Sequence, residues 1–254
     1  MLKKERLMGI LNIVNLKGVV TVNYLVDKLN VSNMTIRRDL DELSQSGKVL
    51  RIHGGAQSVN KERSFELSRT EKREIHITEK IKIATKAATL IQENDTLYIG
   101  PGTTLELVAK YLNNAKNLRV VTNSLPIFQI LERSKNVDVI FIGGSYRERS
   151  NTFVGSLTNS MLKQLRFNKT LVGVNGIHNE NLMTANPEEG QAQRIALNNA
   201  QEKIIVADHF KLNKNDFYNF YSLYDIDYLI TNKDIDKNTK KYYEQFTKII
   251  LSDD

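Results

Sequence analysis

Seven short apolar runs, rich in β-branched residues, recur at residues 96–99, 118–121, 137–142, 170–174, 203–207, 228–231 and 248–251. Each is apolar at successive positions, a pattern that suits a strand only when both of its faces are covered. Stretches of helical periodicity lie between them, residues 105–112 and 191–200 among them. Strands of this kind separated by helices predict an α/β domain with a mainly parallel sheet, spanning residues 78–254.

Residues 1–57 follow another pattern. Leu7, Ile10, Leu11 and Val14 fall on one helix face, and Gly18 punctuates. Thr21 is placed to cap a second helix carrying Leu25, Val26 and Leu29. After the tight connection Asn30-Val31, the Ser32 hydroxyl can cap a third helix, with Ile36, Leu40 and Leu43 inward and Gly47 at its end. Residues 48–56 alternate like a short strand pair with glycines at the bend. Helices joined by a short turn, then a basic hairpin, predict a winged helix-turn-helix. Around the start of the third helix stand Ser32, Asn33, Met34, Thr35, Arg37 and Arg38. In such motifs this end enters the major groove, where Arg and Asn can each make two hydrogen bonds to one base. Lys48, Arg51 and His53 of the hairpin are candidates for phosphate or minor-groove contacts. Residues 58–77 are polar and charged and read as a linker, in part helical.

Charge supports a polyanionic partner, here double-stranded DNA. The net charge is +7 over 254 residues, and residues 1–60 hold nine Lys and Arg against five Asp and Glu, more than half of the excess. An operator with two half-sites needs at least two copies of the chain, so a homodimer or homotetramer is expected. Cysteine is absent, which excludes disulfides, thiolate nucleophiles and Cys-ligated metals. Four His argue against a His-rich centre, so no metal and no cofactor is expected. No signal-peptide-like stretch opens the chain and no run reaches the ~20 apolar residues of a membrane span, so a cytoplasmic protein without a membrane partner is expected.

Polar clusters follow several of the apolar runs. Gly100-Pro101-Gly102-Thr103-Thr104 precedes a helix, and such a loop can bind an anion through its N–H groups, its hydroxyls and the helix end. It matches neither a Walker loop nor a dinucleotide fingerprint, and taken alone it reads equally as an ordinary turn. Asn123-Ser124, Gly143-Gly144 with Arg147, Asn175-Gly176, and Asp208 with Lys211 stand after four further runs. Ligands of open α/β sheets bind at the carboxyl ends of the strands, so five such clusters point to one pocket. Glu188 and Glu189 open the next helix, where they can bind hydroxyls or simply complement the helix dipole.

The run Val31-Ser32-Asn33-Met34-Thr35-Ile36-Arg37-Arg38-Asp39-Leu40, followed by Arg51-Ile52-His53-Gly54-Gly55-Ala56, resembles the winged helix-turn-helix of DeoR-type bacterial regulators. The resemblance continues through the GPGTT, TNS and IGG-x-x-R segments to Asp208. It implies a repressor of sugar catabolism, with an effector domain similar to the ribose-phosphate isomerase and CoA-transferase group of folds. It also implies that Gly100, Gly102, Thr103 and Thr104 hold a phosphate, with Asn123, Ser124, Arg147, Asn175, Glu189, Asp208 and Lys211 around the sugar. Where many relatives carry Lys, this chain has Gln193. The segments GPGTT, LPI, FVG and MLKQLRF, with Gln193, are most similar to the branch that represses lactose phosphotransferase systems in answer to tagatose-6-phosphate. Two other readings stand beside this one. A sugar-phosphate isomerase with a DNA-binding appendage would need an acid/base pair, and His178 and His209 are isolated in the sequence. A constitutive architectural DNA binder would have no use for a second domain with a pocket.

Overall fold

A computed structural model describes residues 2–52, 54–59, 67–112 and 116–252. The chain divides into two units, Met1–Phe65 and Glu66–Asp254. Among the described residues no helix is long and apolar enough to cross a membrane.

The first unit runs α1 (Lys3–Lys17), β1 (Val19–Thr21), α2 (Val22–Leu29), α3 (Asn33–Gln45), β2 (Val49–Ile52) and β3 (Gly55–Ser58). The two expected caps form: Thr21 Oγ1 accepts from the Tyr24 N–H, and Ser32 Oγ from the Thr35 N–H, each at 3.2 Å. Asn30, at φ 52°, turns the chain from α2 into α3. Past α3, the Lys48 N–H returns to the Leu43 carbonyl with Gly47 at φ 67°, a glycine-terminated helix end. Ile10, Val14, Leu25, Ile36, Leu40 and Leu43 form the core with Val20 and Val49. Arg6 of α1 grips the buried Asp39 of α3 through Nε at 2.5 Å and a second nitrogen at 3.2 Å. The wing has three strands in the order β1-β3-β2, all antiparallel. β1 has only three residues, too few for a pattern to emerge from sequence. Gly55 must stay glycine, because a Cβ there would lie 2.0 Å from the Val20 carbonyl oxygen.

The second unit is built on seven parallel strands: β4 (Thr96–Ile99), β5 (Leu118–Thr122), β6 (Val137–Phe141), β9 (Phe167–Gly173), β12 (Ala200–Val206), β14 (Tyr228–Asn232) and β15 (Lys248–Ser252). These are the seven apolar runs. Their spatial order is β15-β14-β12-β9-β4-β5-β6. Alternate strand residues feed two cores, one on each face of the sheet. Leu97, Ile99, Val120, Leu171 and Ile204 pack against α5 (Ile77–Ala88), α6 (Thr103–Tyr111) and α7 (Leu125–Leu131). Tyr98, Val121, Val172, Ile205 and Leu229 pack with α8 (Ser156–Lys163), α9 (Pro187–Asn198) and α10 (Lys237–Tyr243). A hairpin β7 (Ser145–Arg147)–β8 (Thr152–Val154) and a small antiparallel sheet of β10 (Gly176–His178), β11 (Asn181–Thr184) and β13 (Tyr218–Ser222) complete it.

Residues 58–77, expected as a linker in part helical, contain the boundary between the units and a helix, but less of the stretch stands outside the two units than expected. Ser58 closes β3, residues 60–66 lie outside the described residues, and α4 (Arg69–Glu74) is a capped helix of the second unit. Its N-cap Ser68 and Glu71 form a reciprocal capping box. Polar composition suggested a linker because α4 buries no side chain; ion pairs and hydrogen bonds hold it instead.

Candidate functional site

In the first unit the exposed side of α3 is polar and basic. Ser32, Asn33, Met34, Arg37 and Arg38 are exposed, and Thr35 is partly so. Arg37 Nε donates to Asn33 Oδ1 at 2.7 Å, one turn back, which orients both side chains on the same strip. Arg38 has no hydrogen-bond or ion-pair partner among the described residues. Lys48 is exposed on the wing. Arg51 is engaged: Nε meets Asp41 at 2.8 Å and Nη1 the Gly55 carbonyl at 2.6 Å. It braces the wing against α3, a scaffold contact for a residue whose sequence position suggested a phosphate or minor-groove contact. His53 lies outside the described residues.

In the second unit the topology reverses between β4 and β9. The chain runs β4, β5, β6 to one edge, then returns to place β9 on the other side of β4. Such a switch point opens a crevice at the carboxyl ends, and the expected clusters meet around it. The Gly100 N–H donates to the Leu171 carbonyl at 3.0 Å, tying the β4 loop to β9. Gly102 caps α6 at φ 152°. Thr103 and Thr104 are half-buried at the helix start, with hydroxyls that no described residue engages.

Two expected ligand residues are taken up by the scaffold. Asn123 is buried, its Oδ1 accepting from the Tyr98 hydroxyl at 2.8 Å and its Nδ2 donating to the Phe153 carbonyl at 2.6 Å. Ser124 is equally buried, its N–H donating to Thr122 Oγ1 at 3.1 Å. Burial, with Glu189 nearby, pushes the Tyr98 phenol well above its ordinary value, so it stays a neutral donor. Arg147 and Glu189 meet each other at 2.9 Å, and Ser150 donates to the same carboxylate oxygen at 2.5 Å. Asn186 caps α9 through the Glu189 N–H at 3.0 Å.

The rest of the site is cationic. Asp208, at the end of β12, is 2% exposed and its Oδ1 has no hydrogen-bond partner among the described residues. Its charge acts on Lys80 of α5 and on Lys211, and Lys211 also feels Lys214, Lys72 and Lys80. Burial, reinforced by these neighbours against the pull of Asp208, lowers Lys211 from 10.5 to about 8. Burial likewise lowers Lys80, whose Nζ donates to the Lys72 carbonyl. Lys72 Nζ reaches Asn175 Oδ1 at 3.2 Å. Arg69 clasps Glu106, in the first turn of α6, at 2.6 and 2.8 Å, and the Arg69 N–H donates to the Arg149 carbonyl at 2.9 Å. Thus α4 lies across the carboxyl-end loops.

Lys72, Lys80 and Lys214 were not among the expected site residues. Lys80 did leave a signal: it sits three, four and seven residues before Ile83, Ala84 and Ala87, on the buried stripe of α5. Gln193 is similar, buried one turn after Glu189 with an unpartnered Oε1. Among the described residues no group of His, Asp or Glu is placed to hold a metal ion. Lys72, Lys80 and Lys214 all add positive charge around Lys211, and Glu106 and Glu79 act on Lys80 along with Asp208.

Comparison with known proteins bears on both units. Residues 6–62 match the DeoR-like helix-turn-helix domain, and residues 75–233 the DeoR C terminal sensor domain. The chain is 42% identical to a lactose phosphotransferase system repressor of Lactococcus lactis subsp. lactis, covering 99% of each chain. It is 41% identical to one from Streptococcus mutans, covering 98% of this chain and 100% of that one. Among solved structures, a ribose 5-phosphate isomerase from Methanocaldococcus jannaschii is similar over 52% of this chain and 53% of its own, at 15% identity and a TM-score of 0.39. With both domain models matched in order and relatives this similar along the whole chain, the protein belongs to the DeoR family.

Proposed function

We propose that this chain is a DNA-binding transcriptional repressor of a sugar-catabolism operon, released from its operator by a phosphorylated sugar, with tagatose-6-phosphate the first effector to test. It is a regulator and not an enzyme. The observation that carries the effector half is the pair of buried lysines, Lys80 and Lys211, on which the Asp208 charge acts at the sheet's carboxyl ends. A phosphate dianion there offsets the cost of burying Lys80 and Lys211. The Gly100–Gly102 backbone and the free hydroxyls of Thr103 and Thr104 offer further donors at a helix N-terminus. Asp208, Asn175 and the Arg147–Glu189 pair then face the sugar hydroxyls. In the DNA half, Arg38 with Asn33 and Arg37 reads base edges, Met34 and Thr35 make apolar contacts, and Ser32 and Lys48 meet phosphates. The working form is a homodimer or homotetramer, since a two-fold operator needs two reading helices. The names of the relatives support the lactose assignment.

The test is a titration of promoter DNA from the protein's own operon, with and without tagatose-6-phosphate, using fructose-6-phosphate and galactose-6-phosphate as controls. Release by the tagatose ester alone is expected. Tight binding that no sugar phosphate disturbs would overturn the effector half and leave the DNA half standing.

A further inference from the structure

The turn that carries Asp208 and Lys211 also carries two rings. Residues His209–Lys211 form a 3-10 turn after β12, and Phe210 is 46% exposed, a large apolar side chain left near solvent beside a charged site. It is not loose. The His76 ring stacks on it at 3.8 Å between centroids and 15° between planes, and the His209 ring lies 3.9 Å away at 35°. Two imidazoles that close cannot share one face of a phenyl ring, so Phe210 stands between them.

Each end of this stack is anchored differently. His209 is fixed to the sheet. Its N–H donates to Asn232 Oδ1 at 2.9 Å, and Asn232 Nδ2 donates to its Nδ1 at 2.8 Å. Asn232 is fully buried at the end of β14. His76 is the hinge between α4 and α5, in a left-handed conformation at φ 52° that residues other than glycine adopt sparingly. The Lys80 N–H donates to the His76 carbonyl at 3.1 Å, while Lys80 Nζ reaches back to the Lys72 carbonyl of α4. Through His76 and Lys80, the α4–α5 corner is therefore tied to the turn that presents Asp208 and Lys211.

We propose that Phe210 is a positioning residue. Held between His76 and His209, it couples the Asp208–Lys211 turn to the α4–α5 hinge, so that a sugar phosphate closing on that turn shifts α4. Phe210 itself need not touch the ligand. The proposal rests on the effector reading above for its trigger, while the mechanical link from Phe210 to α4 stands on the ring geometry and the Lys80 hydrogen bonds. Ring pairs of this kind are worth about three- to tenfold in an equilibrium constant, a useful size for coupling two sites.

The experiment compares the full-length chain with Phe210→Ala and Phe210→Tyr. Three quantities are measured: amide hydrogen exchange across residues 69–76 without ligand, tagatose-6-phosphate affinity by calorimetry, and the ligand concentration that half-releases operator DNA. In Phe210→Ala, exchange in α4 should quicken about three- to tenfold while α3 is unchanged. Operator affinity should hold and ligand affinity should move less than about threefold, while half-release needs about tenfold more ligand. Phe210→Tyr keeps the stack and should restore all three. Unchanged exchange in α4 overturns the proposal, as does half-release that shifts only in step with ligand affinity. If tagatose-6-phosphate fails to release the wild-type chain, the effector reading falls, and the exchange measurement alone decides whether Phe210 holds α4.

Discussion

Lys80 shows at the scale of one residue what burying a cation costs, and in the proposed function that cost is offset by a bound anion. Lys80 is 5% exposed on a stripe otherwise filled by Ile83, Ala84 and Ala87, and burial depresses its pKa. Methionine nearly matches its length and needs no hydration. Lys80→Met removes that cost together with the Nζ bond to the Lys72 carbonyl and a charge beside Asp208, so its unfolding free energy should stay within about 1 kcal/mol of wild type. It should still bind operator but lose at least tenfold in response to sugar phosphate; thermal unfolding and operator titration check the two halves. Lys211 makes a pH-dependent version of the same argument. Its pKa falls from 10.5 to about 8 in the folded chain, so between those values the folded state holds fewer protons than the unfolded state. Stability from this group therefore rises across pH 8 to 10.5, and the burial cost is in full force below about pH 8. A bound dianion favours the charged lysine. Effector affinity should be flat between about pH 7, where the phosphate is already mostly dianionic, and pH 8, then fall by up to about tenfold per pH unit, with proton uptake on binding above pH 8. Calorimetry in buffers of different ionisation enthalpy measures that uptake; affinity that climbs above pH 8 would contradict it.

Elements differ in how plainly their sequence announces them. The seven parallel strands were readable because burial on both faces leaves a continuous apolar run, as in residues 228–231 of β14. The caps at Thr21 and Ser32 were readable because a hydroxyl before an apolar stripe has a local use. Local signals do not reach α4, whose partners Glu106 and Asn175 lie 37 and 103 residues away. Nor do they reach β7, β8 and β10, three-residue strands whose pairing depends on the surrounding fold. Within the site, Asp208 and Lys211 were legible from their place after a strand. Asn123 was placed at the right strand end, yet Tyr98 and Phe153 claim its amide. Composition cannot distinguish a side chain aimed at a ligand from one aimed at its own scaffold. The reading helix permits a direct test of that distinction. Arg38 is exposed and unpartnered among the described residues, whereas Arg51 braces the wing through Asp41 and Gly55. Arg38→Ala should weaken operator binding by about 1–3 kcal/mol with unfolding unchanged. Arg51→Ala should lower the stability of the first unit by ~1 kcal/mol as well as weakening DNA binding. Operator titrations paired with unfolding curves separate the two; equal effects on folding would show that Arg38 is part of the scaffold.

For the whole molecule, no single element could have revealed where the clusters meet. β9 follows β4 by more than sixty residues yet pairs with it at Leu97, Tyr98 and Ile99, and that crossing creates the switch point. Each unit has its own cores: one cluster around Ile36 and Leu40, and two on either side of the seven-stranded sheet. Units with separate cores can unfold separately, and a ligand stabilises only the unit that binds it. Heating the full chain should therefore give two transitions. A sugar phosphate at a hundred times its dissociation constant adds about 2.7 kcal/mol to the second unit, which raises its midpoint by ~5–10 °C for a domain of this size. The transition of the first unit should stay in place, and operator DNA should have the converse direct effect. On the proposed release mechanism, adding both ligands gives less than the sum of the separate shifts, by the ~1–3 kcal/mol of coupling that would drive release. Calorimetric scans with each ligand alone and with both measure that deficit. Fully additive shifts would show that occupancy of the sensor unit is not communicated to the DNA-reading unit, and that release, if seen, has another cause.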